Sequence, residues 1–181
     1  EKGDFKKVPR GAAPWTMIRN CFGSLTKRTG VHECVFCDYV AGRKERELLY
    51  SDDRVVVFRS RTPVAAEHLL VVPREHLGTV HELRPSDYDL IKHMEDVGRK
   101  TLSTIPPPPD SPHHAAVPGG PVFGFHRPPF NSVHHLHLHC IKPPWRQPWQ
   151  PIRFQPGTLW FTTVGALLRR LGGSSGPGGR V

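Results

Sequence analysis

The sequence predicts an α+β fold: an antiparallel sheet with one long helix packed on it and a short C-terminal helix. Three observations predict it. Residues 132–141, SVHHLHLHCI, alternate with a period of two, the pattern of a strand that buries one face. Tyr88, Ile91, Met94, Val97 and Leu102 recur at near-helical spacing, which marks one amphipathic helix. The other apolar runs are short and mostly joined by short connections, which suits antiparallel neighbours.

In chain order, residues 1–32 lack clear periodicity and read as a basic N-terminal extension, with one short helix near Trp15–Phe22. The domain proper is expected over 33–171. RELLY (46–50) and RVVVFR (54–59) read as strands flanking the turn Ser51-Asp52-Asp53, and HLLVV (68–72) as a third strand closed by Pro73,. Ser86 precedes the long helix, and Asp89 stands three residues on as in a capping box,. A Pro-rich insertion at 106–121 follows; its prolines and glycines sustain neither a helix nor a central strand,. VFGFH (122–126), the turn RPPFN and the histidine strand come next. RFQPGTLWF (153–161), a short helix over 162–171 and a flexible Gly/Ser tail at 172–181 complete the chain,.

At 181 residues the chain holds one domain with a proper core, plus extensions,. It has no run of about 20 apolar residues, so no membrane span is expected. The net charge of +9 favours polyanions without choosing among them,. Much of that excess lies in residues 1–30, where Lys2, Lys6, Lys7, Arg10, Arg19, Lys27 and Arg28 face only Glu1 and Asp4. Four cysteines, Cys21, Cys34, Cys37 and Cys140, are too few for a disulfide scaffold,. A reducing compartment, cytoplasmic or nuclear, is expected, with organelles left open.

The alternation at 132–141 puts His135, His137 and His139 on one face, with Leu136, Leu138 and Cys140 on the other,. Such a column has three readings. It can be a wet sheet face with fortuitous histidines, although His is not a preferred filler of strand surfaces. It can be a metal site, since His at i and i+2 can share an ion. It can be a nucleophile with acid–base partners for phosphate chemistry, because neutral imidazole attacks phosphorus and cationic neighbours stabilise the developing charge. Cys34-x-x-Cys37 is a second constellation, weak alone. His32, His81, His93, His113, His114, His126 and His134 are read as surface residues.

HLHLHCI (135–141) matches His-φ-His-φ-His-φ-φ, with φ apolar, and resembles the motif of the histidine triad (HIT) superfamily. CVFCDYVAGRKERELLYSDDRVVVF (34–58) with PVAAEHLLVVPREHL (63–77) is similar to the amino-terminal half of its Hint branch. FGFHRPPFNSVHHLHLHC (123–140) resembles the third and fourth, plant-type, kinds of histidine triad nucleotide-binding protein. The resemblance implies a HIT-like sheet and an adenosine 5′-monophosphoramidase-like hydrolase acting through a nucleotidyl-histidine intermediate. Adenylyl-sulfate hydrolysis or phosphorolysis by the same site is an alternative. A non-catalytic HIT-domain subunit of a larger assembly is another, docked through residues 1–32.

Residue by residue, the resemblance implies that His137 is the nucleophile and that His139 contacts the phosphate oxygens. His135 orients the nucleophile, His68 is a fourth histidine beside the phosphate, and Ser132 hydrogen-bonds the leaving group. Phe58, Ser60, Asn131, Ser132 and His139 would bind the nucleotide. No cofactor is implied for catalysis, but Cys34, Cys37, His76 and His135 match a zinc set seen in some relatives. The implied partners are a purine nucleotide (an AMP derivative) and a second copy of the chain. Nucleic acid is not an expected partner: the aprataxin-like branch carries a C-terminal zinc module, and after residue 141 there is neither cysteine nor histidine. Two positions depart from the pattern. Ser60 stands where an aspartate usually holds the ribose, and Gly124 stands where the best-known Hint proteins have asparagine.

Overall fold

The central strands are apolar on both sides, so the sheet packs on two faces. A computed structural model describes residues 34–106 and 120–172. The expectations for residues 1–32 and for most of the 106–121 insertion and the 172–181 tail lie outside the described residues. The elements are α1 (Val35–Val40), β1 (Tyr50–Ser51), β2 (Val55–Arg59), β3 (Ala65–Pro73), α2 (Tyr88–Thr104), β4 (Val122–His126), β5 (Leu138–Trp145), β6 (Phe161–Thr163) and α3 (Val164–Gly172). Two 3₁₀ turns, Pro85–Asp87 and Gln150–Phe154, precede α2 and β6. The strands form one six-stranded antiparallel sheet in the order β1-β2-β3-β5-β4-β6. Among the described residues no helix is long and apolar enough to cross a membrane.

Strand parity sorts the side chains into two packed faces. Val55, Val57, Leu69, Val71, Leu138 and Cys140 form a core with Ile91, Met94, Val97 and Leu102 of α2 and Leu167 and Leu171 of α3. Val56, Phe58, Leu70 and Val72 face the other way, against Phe36 of α1. His68 and His139 have this second parity and are both buried.

Three local expectations need correction. RELLY is not a strand over its length; β1 is Tyr50–Ser51 alone. The Asp52 carboxylate accepts the amides of Arg54 and Val55 at 2.8 and 2.7 Å, closing a tight turn. Before Tyr50 one amide, that of Leu49, still bonds Val57 O at 2.8 Å. The cap of the long helix lies two residues earlier than expected. Asp87, not Asp89, reaches back to the amide of Arg84 at 2.7 Å, and a 3₁₀ turn leads into α2.

The histidine strand starts at Leu138, so His135 and His137 precede the ladder. Pro73 at the end of β3 has no N–H to offer, and its carbonyl accepts from His135 Nε2 at 3.0 Å. The amide of Leu136 goes to Leu77 O at 2.6 Å. The alternation survives this change, because Leu136 remains in the core with Leu138 and Cys140.

Gly124 stands directly opposite His139 across β4 and β5. A Cβ there would lie 2.5 Å from both Phe161 Cζ and the Thr162 carbonyl. The packing of β6 therefore requires glycine here. Gly124→Asn is expected to destabilise the chain by about 3 kcal/mol or more through overpacking against backbone. That corresponds to a fall of about 10 °C in thermal midpoint at this size, read by calorimetry.

Candidate active site

Antiparallel register brings three histidines from separate strands to one end of the sheet. Leu70 of β3 and Gly124 of β4 both pair with His139 of β5. His68 and His126, each two residues along, therefore flank His139 diagonally, within reach of long side chains. His68 Nε2 lies 2.9 Å from His139 Nδ1, and His139 Nε2 lies 3.0 Å from His126 Nδ1. Both nitrogens of His139 are engaged, so contact with a phosphate needs one of these bonds to open.

His137 ring contacts are edge-on, 4.9 Å to His139 and 5.2 Å to Phe36. Its Nδ1–H donates to the His135 carbonyl at 2.7 Å, which leaves Nε2 bare. A solvent-open cavity of about 250 Å³ lies against these rings. Phe36, Tyr39, Phe58 and Leu70 line it as apolar wall; His68, His126, His137, His139, Ser132 and Arg153 supply the polar lining.

The structure brings Phe58, Ser60, Ser132, His68, His137 and His139 to that cavity. It does not bring Asn131 or His135. Asn131 lines a much smaller pocket of about 10 Å³, and its side-chain amide donates to Val133 O at 3.3 Å. The His135 ring points away, to Cys34 and Pro73, and only its carbonyl touches His137.

Sequence reasoning placed His126 on the surface, and that is corrected: it is half-buried and part of the histidine row. The parity of VFGFH already separates Gly124 and His126 from Phe123 and Phe125, but only the β4–β5 register shows what His126 meets. Arg153 and Phe154 were also missed. They enter from the 3₁₀ turn, where Phe154 packs 4.9 Å from His126, 5.4 Å from His139 and 5.9 Å from His68. A turn of this kind carries no periodic signal.

Burial dominates the electrostatics. It holds His68 and His126 down at about 4, helped by repulsion from neighbouring rings, where a free histidine sits at 6.5. Burial also lowers His137, and lowers His139 further, with His137, His68 and His126 adding to the effect. At neutral pH these rings are neutral. Below pH 6.5 the unfolded chain takes up protons that the folded chain refuses, so stability is lost as pH falls from about 6.5 towards 4,. Melting curves across that window are expected to show a steep fall in midpoint, shallower in a His68→Gln, His126→Gln double variant.

A second cluster lies behind the first. One nitrogen or sulfur from each of Cys34, Cys37, His76 and His135 falls within 4.8 Å of the others. Cys34 Sγ and Cys37 Sγ are 3.3 and 3.5 Å from His135 Nδ1, and Cys37 Sγ is 3.2 Å from His76 Nδ1. A tetrahedral ion with bonds of about 2.3 Å to sulfur and about 2.0 Å to nitrogen sets S···N separations of about 3.5 Å. His135 Nε2–H donates to Pro73 O, so its Nδ1 is the bare, ligating nitrogen,. The donor set fits a metal ion. Cys140 has no part in it; it is buried in the opposite core, which pushes its thiol pKa up.

The sequence family described as scavenger mRNA decapping enzyme C-term binding matches residues 33–154. The bifunctional adenosine 5′-phosphosulfate phosphorylase/adenylylsulfatase HINT4 of Arabidopsis thaliana is 41% identical over 129 residues, 70% of this chain and 82% of its own. The adenosine 5′-monophosphoramidase HINT3 of Xenopus tropicalis is 35% identical over 141 residues, 76% of this chain and 86% of its own. Among solved structures, a HIT family hydrolase from Legionella pneumophila Philadelphia 1 superposes with a TM-score of 0.54 at 22% identity, covering 66% of this chain and 99% of that one. That likeness is one of fold.

Proposed function

The chain belongs to the histidine triad superfamily, and from that premise we propose that it is a hydrolase of adenosine 5′-phosphoramidates acting through a nucleotidyl-histidine. The observation that carries the reading is the bare Nε2 of His137 at the wall of a nucleotide-sized cleft. The purine lies among Phe36, Tyr39, Phe58 and Leu70. Ser60, with Arg61 beside it, meets the ribose in place of an acid. His137 Nε2 attacks the α-phosphorus, the bond to the leaving group breaks, and water then cleaves the phosphorus–nitrogen bond. Splitting the displacement in two lowers each barrier. Ser132 and the Arg153 guanidinium take the charge that develops on the phosphoryl oxygens.

The Cys34, Cys37, His76, His135 set suits zinc, a closed structural site that would pin α1 and the His135 backbone. A reducing compartment, cytoplasmic or nuclear, is supported by Cys34, Cys37 and Cys140 all being free thiols. A homodimer and a docking role for residues 1–32 rest on the family resemblance and on the basic charge of that segment.

The test is turnover. The purified chain is expected to release ammonia and AMP from adenosine 5′-phosphoramidate. Adenylyl sulfate is the second substrate to assay, because the relative of 41% identity is named for it. A folded chain that binds and splits neither would favour the non-catalytic subunit.

A further inference from the structure

The row of imidazoles has a direction. Read from one end, the Arg153 carbonyl can only accept, so His126 Nε2 carries the proton at that 3.2 Å contact,. His126 Nδ1 is then bare and accepts from His139 Nε2–H at 3.0 Å, and His139 Nδ1 is bare and accepts from His68 Nε2–H at 2.9 Å. Read from the other end, the Val64 amide can only donate, at 3.4 Å to His68 Nδ1. The Arg153 end fixes the three neutral tautomers, and the Val64 amide at the other end is compatible with them. The row also has a second ordered state, with every proton moved to Nδ1, and the Thr62 carbonyl beside His68 favours a proton at that end.

The His126 end of this wire lies at the cavity wall, its Nε2 held by the Arg153 carbonyl until a substrate takes that place. His126, Phe130 and Arg153 line the main cavity, and the same three residues line an adjoining cavity of about 190 Å³ closed by Ile152 and Trp160. A leaving group seated on this boundary would lie beside His126. We propose that His126 is a catalytic residue of this site, the acid that protonates the departing amine, recharged through His139 from His68.

This rests on the hydrolase reading above, and its protons balance. An anionic substrate binds together with one proton from solvent, which enters at His68 Nδ1. His137 Nε2 forms its bond to phosphorus as the phosphorus–amine bond breaks. His126 Nε2–H passes its proton to the amine nitrogen. His126 Nδ1 takes one from His139 Nε2, and His139 Nδ1 takes one from His68 Nε2, leaving the row neutral in its second state. In the next step the attacking water gives its proton to His126 Nε2, and the row passes one proton back through His139 to His68. His68 Nδ1 returns it to solvent as AMP leaves, restoring the neutral resting tautomers.

The experiment compares two substrates that differ only in the need for an acid: adenosine 5′-phosphoramidate and the p-nitrophenyl ester of AMP, whose leaving group departs without a proton. For His126→Asn and His126→Ala, kcat/KM on the phosphoramidate is expected to fall by about 100-fold or more, with the ester changed by less than about threefold. An equal loss on both substrates, or no loss on either, overturns the assignment. A wild type inert towards both overturns the hydrolase reading and this one with it. A readout independent of the variants' folding is ¹⁵N NMR of histidine-labelled wild type at neutral pH. Nε2-protonated tautomers at His68, His139 and His126 are expected, and an Nδ1-protonated His126 overturns the wire.

Discussion

His137→Ala is expected to abolish turnover of adenosine 5′-phosphoramidate, by about 10⁵-fold or more in kcat, the scale on which removing a nucleophile acts. The physical reason is local. Among the described residues, His137 has a cavity-lining ring whose Nδ1–H is tied to a backbone carbonyl, at 2.7 Å, which presents Nε2 without its proton. The neighbouring rings at 139, 68 and 126 have their nitrogens committed to one another or to the backbone of Arg153 and Val64 and do not present a bare nitrogen for the attack. The same substitution leaves the His135 carbonyl without its donor, at a cost of about 1–3 kcal/mol. The variant should therefore still fold, with a modestly lower midpoint. Alkaline denaturing quench of wild type during turnover of adenylate labelled at phosphorus should trap label on the protein, because a phosphorus–nitrogen bond to histidine survives base and not acid, and the variant should trap none. Label trapped on His137→Ala would place the nucleophile elsewhere.

Loss of the Cys/His cluster is the second large effect. Purified protein is expected to hold one zinc per chain by elemental analysis. Cys34→Ser, or prolonged exposure to a strong chelator, should remove it and lower the thermal midpoint by well over 10 °C, since structural zinc contributes on the order of 10 kcal/mol to folding in small domains. Without an ion, Cys37 is pushed up to about 11 by burial and by the Cys34 sulfur beside it, so the apo cluster holds protons that zinc would have to displace. Zinc uptake should accordingly weaken as pH falls, because the ligand thiols must be deprotonated. Turnover by Cys34→Ser should fall less than in His137→Ala, because the cluster touches the site only through the His135 backbone. Protein free of metal with an unchanged midpoint would remove zinc from the account.

The apolar alternation of 132–141 carried the leucine face, the burial of Cys140 and the placing of His137 and His139 on the opposite side without any help from coordinates. Parity is a local property of extended chain, and the buried core faces confirm it. The helical period carried α2 in the same way, although its cap shifted by two residues because the Asp87 carboxylate found an amide first. The 46–50 run misled because apolar content alone does not create a ladder partner, and an edge strand is cut to whatever its neighbour pairs with.

What the sequence by itself determined is therefore the fold class and the chemical identity of the nucleophile's segment, because both follow from side-chain periodicity and residue type. Only the tertiary structure decided that His135 turns its ring to the cysteines while lending His137 its carbonyl, and that His126 joins His68 and His139 in one row. Those outcomes depend on strand order and register, which pair residues 13 and 71 positions apart. Such pairings are set by how the whole sheet packs on its helices, and no short window of sequence contains them.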